Sequence, residues 1–228
     1  MSDNELVLIE RHGRRAEIVL NRPDRRNAVI GPLAIELRTA VESLSADQSV
    51  GVIVLRGAGG AFCSGLDLKE FRAEQPPEWV AHFSEYWRAV HLAIFRCTKP
   101  IIGALERFAI NGGAALALAC DLLIAGETAF LQVGEVQMSS AAPMNLAWLR
   151  LRHSEATTSR LALVGDRING PDLLRLGVAT ECVPDSEVLT AAYRLADTIA
   201  AYPPGAAEQV KVALRARAPH EHPETLFG

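Results

Sequence analysis

V-I-V-L-R-G-A-G-G-A-F-C-S-G-L-D-L, residues Val52 to Leu68, is the stretch that decides the fold. The apolar run Val50 to Leu55, bounded by Gln48-Ser49 and Gly57, has the length and composition of a strand buried on both faces of a sheet. Gly57-Ala58-Gly59-Gly60 then breaks the chain, so the amides from Phe62 to Leu68 are free to turn into a cleft. An ordinary strand-to-helix loop accounts for the same residues. Asp67, after Gly65 and Leu66, is placed to cap a helix starting near Leu68 rather than to act as an acid.

Working outward, Leu6 to Glu10 and Ala16 to Leu20 alternate as strands around a His12-Gly13 turn, and Pro32 opens a helix carrying Leu33, Leu37, Val41 and Leu44. A helix is predicted from Pro77 to Cys97, with Val80, Phe83, Trp87, Val90 and Ile94 on one stripe; Lys99-Pro100 ends it. Ile101 to Leu105 reads as a strand, Asn111-Gly112-Gly113 as a turn, Ala114 to Cys120 as a helix and Asp121 to Ala125 as a strand, a βαβ-like rhythm. From Pro143 the pattern is almost wholly helical, over Ser154 to Val164, Pro171 to Leu176 and Glu187 to Ala201, with a short apolar link at Val178 to Val183. The expected organisation is a sheet-bearing core over residues 1–142 and a helical region over 143–228, with Ala218 to Gly228 loosely held.

The 228 residues fit one compact α/β domain, and 49% hydrophobic with 22% charged residues excludes disorder as the main state. A net charge of -4 provides no general attraction to nucleic acid or an anionic membrane. Cys63, Cys97, Cys120 and Cys182 form no C-x-x-C pair and have no zinc-ligand spacing, so a reduced, cytoplasmic chain without a metal is expected. Met1 to Glu10 lacks a secretory pattern, and no apolar run approaches the ~18 to 20 residues that span a bilayer.

Asn111-Gly112-Gly113 stands before a run of small residues, Ala114 to Ala119. A helix start there would offer unpaired N–H donors to an anion, and glycine lets a ligand approach the backbone; a tight turn packed on another helix fits equally. Six arginines fall between Arg11 and Arg26, a residue type suited to phosphate, although a solvated basic edge explains any single one.

Taken together, Val52 to Leu68, the preceding L-N-R-P-D-R-R-N-A-V (Leu20 to Val29) and K-P-I-I-G-A-L-E-R-F-A-I-N-G-G-A-A-L-A-L-A-C-D (Lys99 to Asp121) resemble the enoyl-CoA hydratase/isomerase, or crotonase, family. The resemblance runs from about residue 5 to about residue 200 and rests on three separated motifs in the same order. It implies an α/β core of repeated ββα turns with a helical C-terminal trimerisation region, a homotrimer or hexamer, and a cleft for an acyl-CoA thioester. CoA would be part of the substrate and no separate cofactor is implied. The oxyanion hole of the family maps to the backbone N–H groups of Leu66 and Gly112. The CoA-binding segment maps to Arg25, Arg26, Asn27 and Ala28, with Arg26, the Ala28 backbone and Ser64 as the expected contacts.

Hydratases of the family use two glutamates. The first would lie three residues beyond Gly112, where this sequence has Ala115; the second maps to Glu135. The following residues, Gln137 to Leu149, contain Ala142-Pro143 and are closer in pattern to the single-glutamate enoyl-CoA isomerases. Hydration needs a placed water, a base and a proton donor, whereas moving a double bond from C3 to C2 needs one carboxylate over the dienolate. Apolar neighbours Val133, Val136 and Met138 would raise the basicity of Glu135 by desolvation. The favoured function is 3-enoyl-CoA to 2-enoyl-CoA isomerisation. The alternatives are a hydratase or other enolate-forming enzyme that uses Glu106 or water, and a silent acyl-CoA-binding protein. His82, His91, Trp87 and Trp148 are read as packing, with pocket lining as the sharper alternative.

Overall fold

The computed structural model describes residues 5–216 and Phe227. The chain opens with a hairpin of β1 (Val7–His12) and β2 (Arg15–Leu20), turning at Gly13. Helix α1 (Gly31–Ala46) leads to β3 (Val52–Gly57), and α2 (Leu68–Phe71) and α3 (Phe83–Arg96) follow the glycine-rich break. Next come β4 (Ile101–Leu105), β5 (Phe108–Ile110), α4 (Gly112–Ala119), β6 (Leu122–Gly126) and β7 (Phe130–Gln132). The remainder holds α5 (Pro143–Arg152), α6 (Glu155–Val164), β8 (Arg167–Asn169), α7 (Gly170–Arg175), β9 (Glu181–Val183), α8 (Val188–Ala200) and α9 (Ala206–Arg215).

Two sheets result. The larger runs β1-β2-β3-β4-β6-β9, antiparallel only at the hairpin; the smaller runs β5-β7-β8. Alternation along β3 explains why the Val50 to Leu55 run is continuous. Ile53 and Leu55 enter the main core with Leu33, Leu37 and Val41 of α1, while Val52 and Val54 meet Val188, Ala191 and Ala192 of α8 on the opposite face. Both faces of the strand are therefore covered by helices.

Three expectations change. The helix predicted from Pro77 is divided: Glu78–His82 forms a tight 3-10 turn, and α3 starts only at Phe83. The apolar link at 178–183 ends in β9, which pairs in parallel with β6 and extends the main sheet. Phe227 is 1% exposed, stacked on His91 at 5.9 Å and lying 5.2 Å from Trp148, so this residue of the C-terminal stretch is packed rather than loose. The rest of Ala218 to Gly228 lies outside the described residues.

Candidate active site

The site is made where strand ends from the two sheets meet, the usual place for a cleft in parallel α/β architecture. β5 and β7 are parallel with Ile110 opposite Gln132, so Asn111 and Gly134, which follow them, emerge side by side. Asn111 joins the two stretches from both ends. Its backbone N–H donates to the Gln132 carbonyl at 2.8 Å, and its side-chain Oδ1 accepts from the Gly134 N–H at 2.8 Å.

The glycine-rich break after β3 brings Cys63 to Asp67 against the same place. Val29 pairs with Leu66, and Cys63 with Ala109, as isolated parallel bridges on the two sides of this segment. Gly65 takes φ +85°, and a Cβ there would lie 2.6 Å from the Ile110 carbonyl oxygen and 3.4 Å from the Gly112 nitrogen. Glycine is thus required twice over, by conformation and by approach. A Cβ added to Gly112 would in turn lie 3.9 Å from the Leu66 nitrogen and 3.5 Å from the Trp87 ring. The Leu66 and Gly112 amides therefore flank one small space walled by Trp87, and neither N–H has an acceptor among the described residues. The Gly112 amide opens α4 and gains the positive end of that helix.

Glu135, three residues past β7, begins a short 3-10 turn ending at Met138. Its Oε1 accepts from Asn145 Nδ2 at 2.7 Å, and its Oε2 is buried with no partner among the described residues. Burial raises its pKa above the ordinary 4.5, opposed more weakly by its own backbone amide and by Asn145. Val133 is in the core as expected, but Val136 and Met138 are largely exposed, so desolvation comes from the surrounding fold rather than from those two side chains.

Ala115, fully buried on α4, leaves no second carboxylate at that position. Glu106 also has a pKa raised by burial, but it lies in the field of Arg56, which pairs with Glu17 and Glu10 at the far side of β2. Asp67 accepts from the Glu70 N–H as a cap and is paired with Arg22 at 3.3 Å.

The arginines separate by partner. Arg11 pairs with Asp47, Arg15 with Asp197, and Arg22 with Asp67 and Glu70, whereas Arg25 and Arg26 are exposed without an ion pair among the described residues. Asn27, fully buried, fixes this segment by donating to the Ala58 and Ala61 carbonyls at 2.9 and 2.7 Å. Ser64 is tied to the same segment: its N–H donates to the Arg26 carbonyl at 3.1 Å. Ala28, 6% exposed, accepts at its carbonyl from Arg22 Nη1 at 2.7 Å.

His82 is exposed. His91 is fully buried, and burial pushes its pKa down to about 3, so it is neutral. Trp148 Nε1 donates to its Nδ1 at 2.8 Å, which joins the two rings inside the core, and Trp148 also lines the groove beside α4 and α5. Asn145 and Asn111 are the site residues that sequence reasoning missed. Asn145 carries no signal of its own, being one polar residue within the Pro143–Arg152 helix; Asn111 sits at φ 51° and ψ -110°, outside the left-handed helical region that Asn commonly adopts, so its residue type did not announce that backbone.

This fold is that of the crotonase class of acyl-CoA enzymes. The chain superposes on an enoyl-CoA hydratase/carnithine racemase from Magnetospirillum magneticum with a TM-score of 0.85 at 28% identity, over 93% of this chain and 80% of that one. A monofunctional enoyl CoA isomerase from M. smegmatis superposes with a TM-score of 0.79 at 27% identity, over 97% of this chain and 98% of the other. A probable enoyl-CoA hydratase of Rhizobium meliloti is 34% identical over 212 residues, 92% of this chain and 81% of the relative. The enoyl-CoA hydratase/isomerase family model matches residues 11–227, and the chain belongs to that family.

Proposed function

We propose that the protein shifts the double bond of a 3-enoyl-CoA thioester to C2, with Leu66 and Gly112 N–H groups holding the enolate oxygen and Glu135 moving the proton. The observation that carries this is the half-buried Glu135, tied through Asn145 to the peptide that carries the Gly112 N–H, with Ala115 where a second glutamate would stand. Two preset donors strengthen as charge develops on the thioester oxygen, and removing one such donor costs ~10²- to 10³-fold in rate. Glu135 takes the C2 proton and returns it at C4; no water has to be activated. Its raised pKa makes the carboxylate a better base for an α-proton than a solvated glutamate.

In this assignment Arg26, the Ala28 backbone and Ser64 lie along the CoA moiety, with the exposed Arg26 guanidinium free for phosphate. The chain works as a homotrimer or hexamer in the cytoplasm. An apolar groove of about 770 Å³ between α4, α5, α8 and α9, edged by the exposed Tyr202, Val210 and Leu214, is consistent with a face covered by another subunit. No described helix is long and apolar enough to cross a membrane.

The second reading is hydration, favoured by the hydratase names of relatives such as the Rhizobium protein. Offering the enzyme 3-enoyl and 2-enoyl thioesters separates the two. Double-bond migration abolished by Glu135→Gln supports isomerisation; hydration abolished by Glu135→Gln, without migration, sinks it.

A further inference from the structure

Resting on the enolate chemistry proposed above, we infer that Asn145 is a positioning residue that joins the base to the oxyanion-binding peptide through one side-chain nitrogen. Asn145 is 1% exposed, and its Nδ2 donates to Glu135 Oε1 at 2.7 Å and to the Asn111 carbonyl at 3.1 Å. A backbone carbonyl can only accept, so the amide cannot turn over without losing both bonds. Glu135 Oε1 is thereby fixed as an acceptor. The proton taken from substrate is directed to Oε2, which is buried and unpartnered among the described residues, and the same oxygen returns it.

The other bond acts on the donor side. The Asn111 carbonyl and the Gly112 N–H are two ends of one peptide group. A hydrogen bond to the carbonyl withdraws charge through that group and makes its N–H a stronger donor. The first turn of α4 adds a second bond to the same oxygen, from the Ala115 N–H at 2.9 Å. As the proton transfers, negative charge leaves Glu135 and gathers on the thioester oxygen, and Asn145 faces both places. Its own Oδ1 remains buried without a partner among the described residues.

Exchange of the α-protons of a saturated acyl-CoA thioester in D₂O tests this, followed against pH for the wild type, Asn145→Ala and Asn145→Asp, with thioester affinity and thermal melting of each. Removing a donor to a charged group predicts a rate loss of about 10- to 100-fold with affinity nearly unchanged. The acid limb should move to higher pH, because a bond favouring the carboxylate is gone. Burial, the residue's own amide and Asn145 act on Glu135, and no charged side chain does so among the described residues, so the limb reports this contact. Asn145→Asp keeps the shape and places a second carboxyl against Glu135; it should lose as much at neutral pH and serves if the Ala variant does not fold. Wild-type exchange with rate and acid limb unchanged in a folded variant overturns the role of Asn145 alone. A lowered melting temperature with an unmoved acid limb also overturns it, leaving a structural contact. No exchange by the wild type overturns the enolate chemistry and this role together.

Discussion

Replacing Glu135 by Gln should make the protein inactive and more stable at neutral pH. The carboxyl is held above its ordinary pKa of 4.5 by burial, so its protonated form is the one the fold favours. The stability it contributes is complete below about pH 4.5 and is lost as pH rises through the raised folded value. Ionised, it leaves Oε2 without a partner while Oε1 keeps the bond from Asn145. A buried acceptor left unmet costs ~1–3 kcal/mol, and more when charged, but Glu135 is only partly shielded from water, so the low end, about 1 kcal/mol, is the appropriate figure. Gln keeps an acceptor for Asn145 and replaces the unmet charge by a neutral group. The gain should be about 1 kcal/mol, or roughly 2–4 °C in melting temperature for a chain of this size, present at pH 7–8 and absent below pH 4.5. Chemical denaturation of both proteins across that pH range measures it, alongside a rate loss of ~10²- to 10⁴-fold for a missing general base. Equal stability at every pH, or a variant weaker at pH 8, would refute the reasoning that burial sets the basicity of Glu135.

Gly113→Ala would drive a Cβ into the Cys63 carbonyl oxygen, where the start of α4 lies against the β3 loop; a loss of about 1–3 kcal/mol in urea unfolding is expected, with activity falling alongside it. Arg26→Ala should raise KM about two- to fivefold for full CoA thioesters while leaving a phosphate-free pantetheine thioester unaffected, and the difference should shrink with added salt. Phe227→Ala removes a ring packed among His91, Phe95 and Trp148 and should cost about 3 kcal/mol, with a shift in tryptophan emission.

What could be read in the chain and what could not divides along physical lines. β3 was legible because a strand covered on both faces must be apolar at every position, and the Asp67 cap because its carboxylate acts on its own neighbours. The short β5, three residues flanked by Arg107 at φ 54°, has no periodicity long enough to read and exists through its pairing with β7. Glu135 is located by its motif and its raised pKa by desolvation is as expected, but of the three apolar neighbours expected to supply it only Val133 is buried, while Val136 and Met138 are exposed. Asn145 was invisible because its meaning lies wholly in partners 34 and 10 residues away. The break in the helix after Pro77 escaped notice because the same aromatic stripe continues across His82.

The bridges Val29 to Leu66 and Cys63 to Ala109 bear on the order in which the protein becomes competent. The loop that presents the Leu66 amide is clasped by a stretch translated before it and by another translated after it, while Glu135 and Asn145 come later still. A nascent chain that has not yet delivered β5 holds only half of that clasp, and no fragment ending before α5 has the Asn145 that holds Glu135. Recovery of turnover during refolding should therefore lag secondary-structure formation and coincide with final closure of the two sheets, which makes activity itself a probe of the last folding step.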